Sequence, residues 1–153
     1  MNLFPESLEF PAGRAVLLSI KPRYADLILA GTKRVELRRS WPATEIGVMV
    51  LYSSAPIQRL VGVAYIDYVN ETDVASLWDL ACQFGGGLTQ EELLDYFHGK
   101  KTAYGIIIKG TRIAQHPVDP NEIFPNFTPP QSFQYITPEE FRRIMRTFFP
   151  DEY

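Results

Sequence analysis

Lys33, Glu36 and Arg38 fall in one short run, Thr32-Lys33-Arg34-Val35-Glu36-Leu37-Arg38-Arg39. In an extended chain Val35 and Leu37 point one way, and Arg34, Glu36 and Arg38 the other. A lysine at the start of such a run holds a phosphate as a point charge. An arginine grips a phosphate or a base edge as a planar fork. A carboxylate flanked by cations stays ionised and accepts from the amino groups of bases. The same pattern also fits a strand whose Glu36 only neutralises its neighbours, and both readings stand on the residues alone.

Other chemistries find less support. Gly85-Gly86-Gly87 lacks the Lys-Ser/Thr of a phosphate loop and reads as a flexible hinge. His98 and His116 have no metal-ligand spacing, so no metal is expected, and no cofactor motif is present. There is no Gly-x-Ser-x-Gly elbow. Cys82 falls on the apolar side of a predicted helix and reads as a core residue.

The elements that must position Lys33 are legible around it. Ala15 to Ile20 is a short apolar run ended by Lys21-Pro22, a buried strand. Pro22 opens a helix with Tyr24, Leu27 and Ile28 at helical spacing, and Gly31 stops it. Residues 32–39 then alternate as a half-buried strand. Val48 to Tyr52 and Leu60 to Val69 are further strands, the first broken by Ser53-Ser54-Ala55-Pro56 and the second carrying Gly62 as a bulge or close approach. Thr72 is expected to cap a helix running to Cys82. Thr89-Gln90-Glu91-Glu92 is a capping box for a short helix closed by Gly99. Ala103 to Ile108 and Arg112 to Val118 read as two strands joined by a Lys109-Gly110 turn. Asp119 to Gln131 is proline-rich and irregular, and Ser132 to Ile136 can add a strand. Thr137-Pro138-Glu139-Glu140 opens a last helix whose face of Phe141, Ile144, Met145 and Phe148 is expected to cap the chain's own sheet. Strand–helix–strand followed by strands with inserted helices gives an α+β fold, a mixed sheet curled towards a barrel. The chain is expected to be a single domain, with its core at about 14–118 and the segment 119–153 packed on it.

Composition sets the outer bounds. At 153 residues and 46% hydrophobic the chain can bury a core, and no apolar run is long enough for a membrane span. The start, Met1 to Glu6, lacks the basic-then-apolar pattern of a signal peptide, and the one cysteine fits a reducing compartment. A cytoplasmic location is expected. The net charge of −3 argues against coating nucleic acid by bulk electrostatics. Yet Arg14, Lys21, Arg23, Lys33, Arg34, Arg38 and Arg39 crowd the first quarter, opposed only by Asp26 and Glu36, so a local cationic face remains open.

The run Lys21-Pro22 with Tyr24, then Ile28-Leu29-Ala30-Gly31-Thr32-Lys33, then Glu36 with Arg38, resembles the signature of ASCH domains, within the wider PUA-like group. Tyr52-Ser53-Ser54-Ala55-Pro56, Gly62-Val63-Ala64 and Leu88 through Gly99 to Ile106 extend the likeness over roughly 15–110. The resemblance implies a PUA-like mixed β-barrel with helices inserted and packed around it. It implies a cleft between the first helix, its following strand and the Tyr52-Ser53-Ser54 strand end, and work on RNA. In this chain Lys33, Glu36 and Arg38 would line that cleft, Lys21 and Tyr24 its rim, and Ser53 and Ser54 its opposite wall. Tyr52, Tyr65 or Tyr104 would stack a base, as single-stranded RNA is commonly read. The partner implied is single-stranded RNA or a nucleoside.

Some ASCH proteins similar to this one deacetylate acetylated cytidine with a lysine, a threonine three residues on and a glutamate before a later helix. Lys33 matches the lysine; Glu36 replaces the threonine, and the glycine run stands where the glutamate should be. An RNA-cleaving branch suggests another use. There Lys33 would stabilise charge, Tyr52 act as the acid–base group and Ser54 position the phosphate, with Glu36 as an alternative base. The first expectation is thus an RNA- or nucleoside-binding module. The second is a metal-independent hydrolase on RNA or a modified nucleoside, with Lys33, Glu36 and Tyr52 as its catalytic residues.

Overall fold

Six strands and four α-helices make up the fold in the computed structural model, which describes residues 13–152. The strands are β1 (Arg14–Ile20), β2 (Val35–Arg38), β3 (Ile46–Ser53), β4 (Arg59–Asp73), β5 (Thr102–Val118) and β6 (Phe133–Ile136). The helices are α1 (Pro22–Leu29), α2 (Val74–Phe84), α3 (Gln90–Tyr96) and α4 (Pro138–Phe148). One mixed sheet has the order β2-β5-β4-β3-β1-β6, with β1 parallel to β3 and the other pairs antiparallel. No ladder joins the end strands β2 and β6 among the described residues.

The helix boundaries follow local chemistry. Pro22 supplies the fixed φ of the first turn of α1, and Gly31 leaves it at φ +81°. Thr89 with Glu92, and Thr137 with Glu140, form reciprocal capping boxes on α3 and α4. The cap of α2 is Asp73, whose carboxylate accepts from the Ser76 N–H at 2.8 Å, and not Thr72. Thr72 is still paired with Ala103 in the β4–β5 ladder. The same ladder removes the expected turn at Lys109-Gly110. It runs from Leu60–Val118 to Asp73–Thr102, and its register shifts between Leu60 and Gly62, between Tyr65 and Ile66 and between Ile66 and Tyr68. One long strand with bulge-like register shifts thus replaces the two short strands expected.

The period of two along β3 divides the interior. Val48, Val50 and Tyr52 meet Phe141, Ile144, Met145 and Phe148 of α4. Met49 and Leu51 meet Ala25 and Ile28 of α1 on the other face. Each of those α4 side chains is fully or almost fully buried, and such burial contributes about 1.5–3 kcal/mol apiece. A third cluster packs Leu77 and Ala81 of α2 and Leu93 of α3 on Val35, Leu37 and Ile107. With Val35 and Leu37 held under α2 and α3, Glu36 and Arg38 are forced to the inner face beside α1. Gly62 permits that packing: a Cβ there would lie 2.5 Å from the Arg112 carbonyl and 2.8 Å from Leu29. Cys82 is exposed, since α2 turns Leu77 and Ala81, not Cys82, to the sheet.

Candidate functional site

Glu36 is the centre of a buried ion cluster. Its Oε2 accepts from Arg38 Nε at 2.8 Å and lies 2.7 Å from Arg38 Nη2, while Oε1 lies 3.4 Å from Lys33 Nζ. Lys33, Glu36 and Arg38 are only 3%, 6% and 8% exposed, so the whole β2 strand is covered and its polar face is not a solvated one. Arg38 also donates from Nη2 to the Ser19 carbonyl at 3.0 Å and from Nη1 to Ser132 Oγ at 3.4 Å. It therefore reaches from the β2 edge of the sheet to the β1–β6 edge.

Lys33 is held from the other side. Its ammonium donates to the Gly86 carbonyl at 2.5 Å and lies 5.2 Å from the centre of the Tyr24 ring. Gly85 and Gly87 both have positive φ, and a Cβ on Gly85 would stand 2.2 Å from the Thr32 carbonyl. The glycine run is thus a close-packed support for Lys33 and not a hinge. Arg23 fixes the next turn, donating to the Gly87 carbonyl at 2.8 Å and lying 3.7 Å from Glu92.

Burial acts against both charges of the pair, with different outcomes. For Glu36 burial raises the carboxyl, but Arg38 and Lys33, through charge and hydrogen bonds, hold it below its ordinary 4.5. For Lys33 burial lowers the ammonium and outweighs the support of Glu36, with Arg38 and Arg23 adding to the fall below 10.5. The cluster carries one net positive charge. Counting donors, Lys33 has one N–H and Arg38 one Nη1 N–H beyond those described, and Glu36 Oε1 retains acceptor capacity.

The cluster forms the wall of a cavity of about 510 Å³. Lys21, Tyr24, Lys33, Glu36, Arg38 and Ser54 line it together. Ser53 is buried and does not line it. The structure does not bring Tyr52 there either: its ring lies on the α4 side, 5.1 Å from Phe127, and the residue is 2% exposed. Burial raises the Tyr52 phenol, with Arg59 lowering and Asp119 raising it. Tyr65 packs on the same α4-side cluster, and Tyr104 packs beside Arg38 without lining the cavity.

Several lining residues escape a reading of the sequence. The opposite wall is Gly86, Leu88, Glu92, Asp95 and Tyr96, from the glycine run and α3. Arg39 fastens Tyr96 through its carbonyl, Nη1 donating at 2.6 Å. Desolvation raises the Tyr96 phenol above its ordinary 10.0; Arg38 and Arg39 oppose and Glu36 adds to the rise. The capping box at Thr89 signalled α3 but not that it folds over Lys33. Among the described residues no group of His, Cys, Asp and Glu is placed to hold a metal ion, and no helix is long and apolar enough to cross a membrane.

A family model of the ASCH domain matches residues 18–113. The ASCH domain-containing ribonuclease of Zymomonas mobilis subsp. mobilis is 27% identical over 146 residues, covering 90% of this chain and 94% of that protein. The crystal structure of ASCH from Zymomonas mobilis aligns with a TM-score of 0.79 at 27% identity, over 86% of this chain and 94% of that one. A Ser-to-Ala mutant of that protein aligns with the same TM-score at 26% identity, over 86% and 94%.

Proposed function

This chain belongs to the ASCH domain family, and on that footing we propose that it binds a nucleotide of single-stranded RNA, or a nucleoside, in the cleft walled by Lys33, Glu36 and Arg38. The observation that carries the reading is the buried cluster itself. Two cations and one anion are held out of solvent on the wall of an open cavity, with donors left over on Lys33 and Arg38. Those donors suit a phosphate or a base carbonyl, and Glu36 Oε1 suits a base amino group. Tyr24 and Tyr96 take the stacking role that the sequence left among Tyr52, Tyr65 and Tyr104. Arg38, bridging the two sheet edges, supports a PUA-like barrel closed by side chains instead of a ladder. The work is assigned to the cytoplasm.

A second reading is metal-independent cleavage of RNA. It is favoured by the ribonuclease relative and by the lowered Lys33 ammonium, which brings an amine nearer the range useful for proton transfer. In that reading Lys33 exchanges the proton and Arg38 steadies the phosphate. Glu36, whose carboxyl is held low, is a weak base and positions the two cations.

Fluorescence anisotropy of a labelled short RNA, with gel analysis of products, separates the readings. Wild type is compared with Lys33→Ala and Glu36→Gln. Weaker binding in both variants, with intact RNA throughout, supports the binding module. Cleavage by wild type that ceases in Lys33→Ala supports the enzyme. No binding at low salt contradicts both.

A further inference from the structure

On the reading that the cleft takes a nucleotide, we infer that its ligand is an RNA strand and not a free nucleoside, and that the strand leaves across Tyr96 onto Arg39, Lys100 and Lys101. Tyr96 lines the cleft and is also 45% exposed, so one ring belongs to both the cavity and the surface. It is held firmly there. The ring stacks edge-on against buried Phe97 at 4.7 Å, and Arg39 Nη1 donates to its carbonyl at 2.6 Å and to the His98 carbonyl at 3.4 Å. A fixed, wetted aromatic face at a cavity mouth is a stacking platform for the next base.

Beyond it the surface is cationic. The chain turns at Gly99, where the Lys100 N–H donates to the Phe97 carbonyl at 2.9 Å, and presents Lys100 and Lys101 to solvent. Arg39 follows directly on the last residue of β2, and its guanidinium reaches the Tyr96 and His98 carbonyls, the latter two residues before Lys100. Among the described residues Arg23, Lys33, Arg38 and Arg112 have carboxylate partners, and Arg39, Lys100 and Lys101 have none. The acids nearby set the direction. Glu92 and Asp95 stand on the α3 side of the mouth, Glu92 bound to Thr89 and close to Arg23. Asp73, opposite Thr102, is occupied in capping α2. Three cations without a carboxylate partner, beside one exposed aromatic on a chain of net charge −3, are a local arrangement that bulk composition does not produce. A nucleoside has no phosphate to use them; a strand does.

The test uses the full chain, a labelled single-stranded RNA of about ten nucleotides, and the four free ribonucleosides as separate probes. Lys100→Ala/Lys101→Ala should weaken the RNA about tenfold at low salt. It should also flatten the slope of log affinity against log salt by about 1.4, or about 0.7 for each of two phosphates. Lys109→Ala/Arg146→Ala removes equal charge elsewhere and should change neither quantity. The inference is overturned if both double variants behave alike, if the first matches wild type, or if any nucleoside binds as tightly as the strand. A Lys33→Ala variant run alongside separates the two levels. RNA binding that ignores Lys33 sinks the cleft itself, whereas binding that needs Lys33 but ignores Lys100 and Lys101 sinks only the exit path.

Discussion

Glu36 is the residue on which the cluster depends, because its carboxylate offsets two buried cations. Removing one partner of a buried ion group leaves the others uncompensated, a cost of about 3–5 kcal/mol. Glu36→Gln keeps an acceptor oxygen, so it should cost about 3 kcal/mol, the lower end of that range, read as a lowered urea midpoint. The pH dependence follows from the same geometry. The folded-state carboxyl lies below its ordinary 4.5, so its stabilisation is present above that value and is lost as pH falls through the folded value. Wild type should therefore lose stability more steeply than Glu36→Gln as pH falls below about 4.5. Equal slopes would remove Glu36 as the source. Lys33 works in the opposite part of the scale. Its ammonium is disfavoured in the folded state, so the unfolded chain holds that proton longer and stability rises as pH climbs towards 10.5.

At the scale of elements, the glycine run beneath Lys33 is the part most exposed to a single change. Gly85 and Gly31 both have positive φ, but a Cβ on Gly85 meets the Thr32 carbonyl at 2.2 Å while one on Gly31 meets nothing within 4 Å. Gly31→Ala should cost about 1 kcal/mol of backbone strain. Gly85→Ala adds a backbone clash and should cost at least about 3 kcal/mol while weakening RNA binding, since it moves the Gly86 carbonyl from Lys33. Equilibrium urea unfolding of the two variants reads the difference, and similar midpoints would contradict this role for the run. Elements set by local chemistry were legible in the sequence: Pro22 and Gly31 bound α1, and Thr89 and Thr137 mark α3 and α4. Elements set by a distant partner were not. Lys109-Gly110 looks like a turn until β4 supplies a partner long enough to carry β5 through it as an irregular ladder. Thr72 looks like a cap until the same ladder claims it.

For the whole molecule, the site was half legible for a similar reason. Lys33, Glu36 and Arg38 share one short strand, so spacing finds them. Tyr96 and Gly86 come from more than fifty residues away and enter only when α3 folds over Lys33. Tyr52 stands at a strand end near the cleft, but α4 covers the face its ring takes, which no local pattern reveals. The electrostatics also belong to the whole. A chain of net charge −3 that meets RNA through about three phosphates should show a salt slope of about −2, far shallower than that of a basic coating protein. A slope near zero would mean that the ligand carries no phosphate into the site.

The most direct measurement is a titration of short single-stranded RNA into isotope-labelled protein, followed by backbone amide shifts. Shifts are expected to concentrate in residues 19–24, 33–39 and 86–101, with residues 138–148 of α4 unmoved. Shifts centred on α4, or none at saturating RNA in low salt, would contradict binding in the Lys33 cleft.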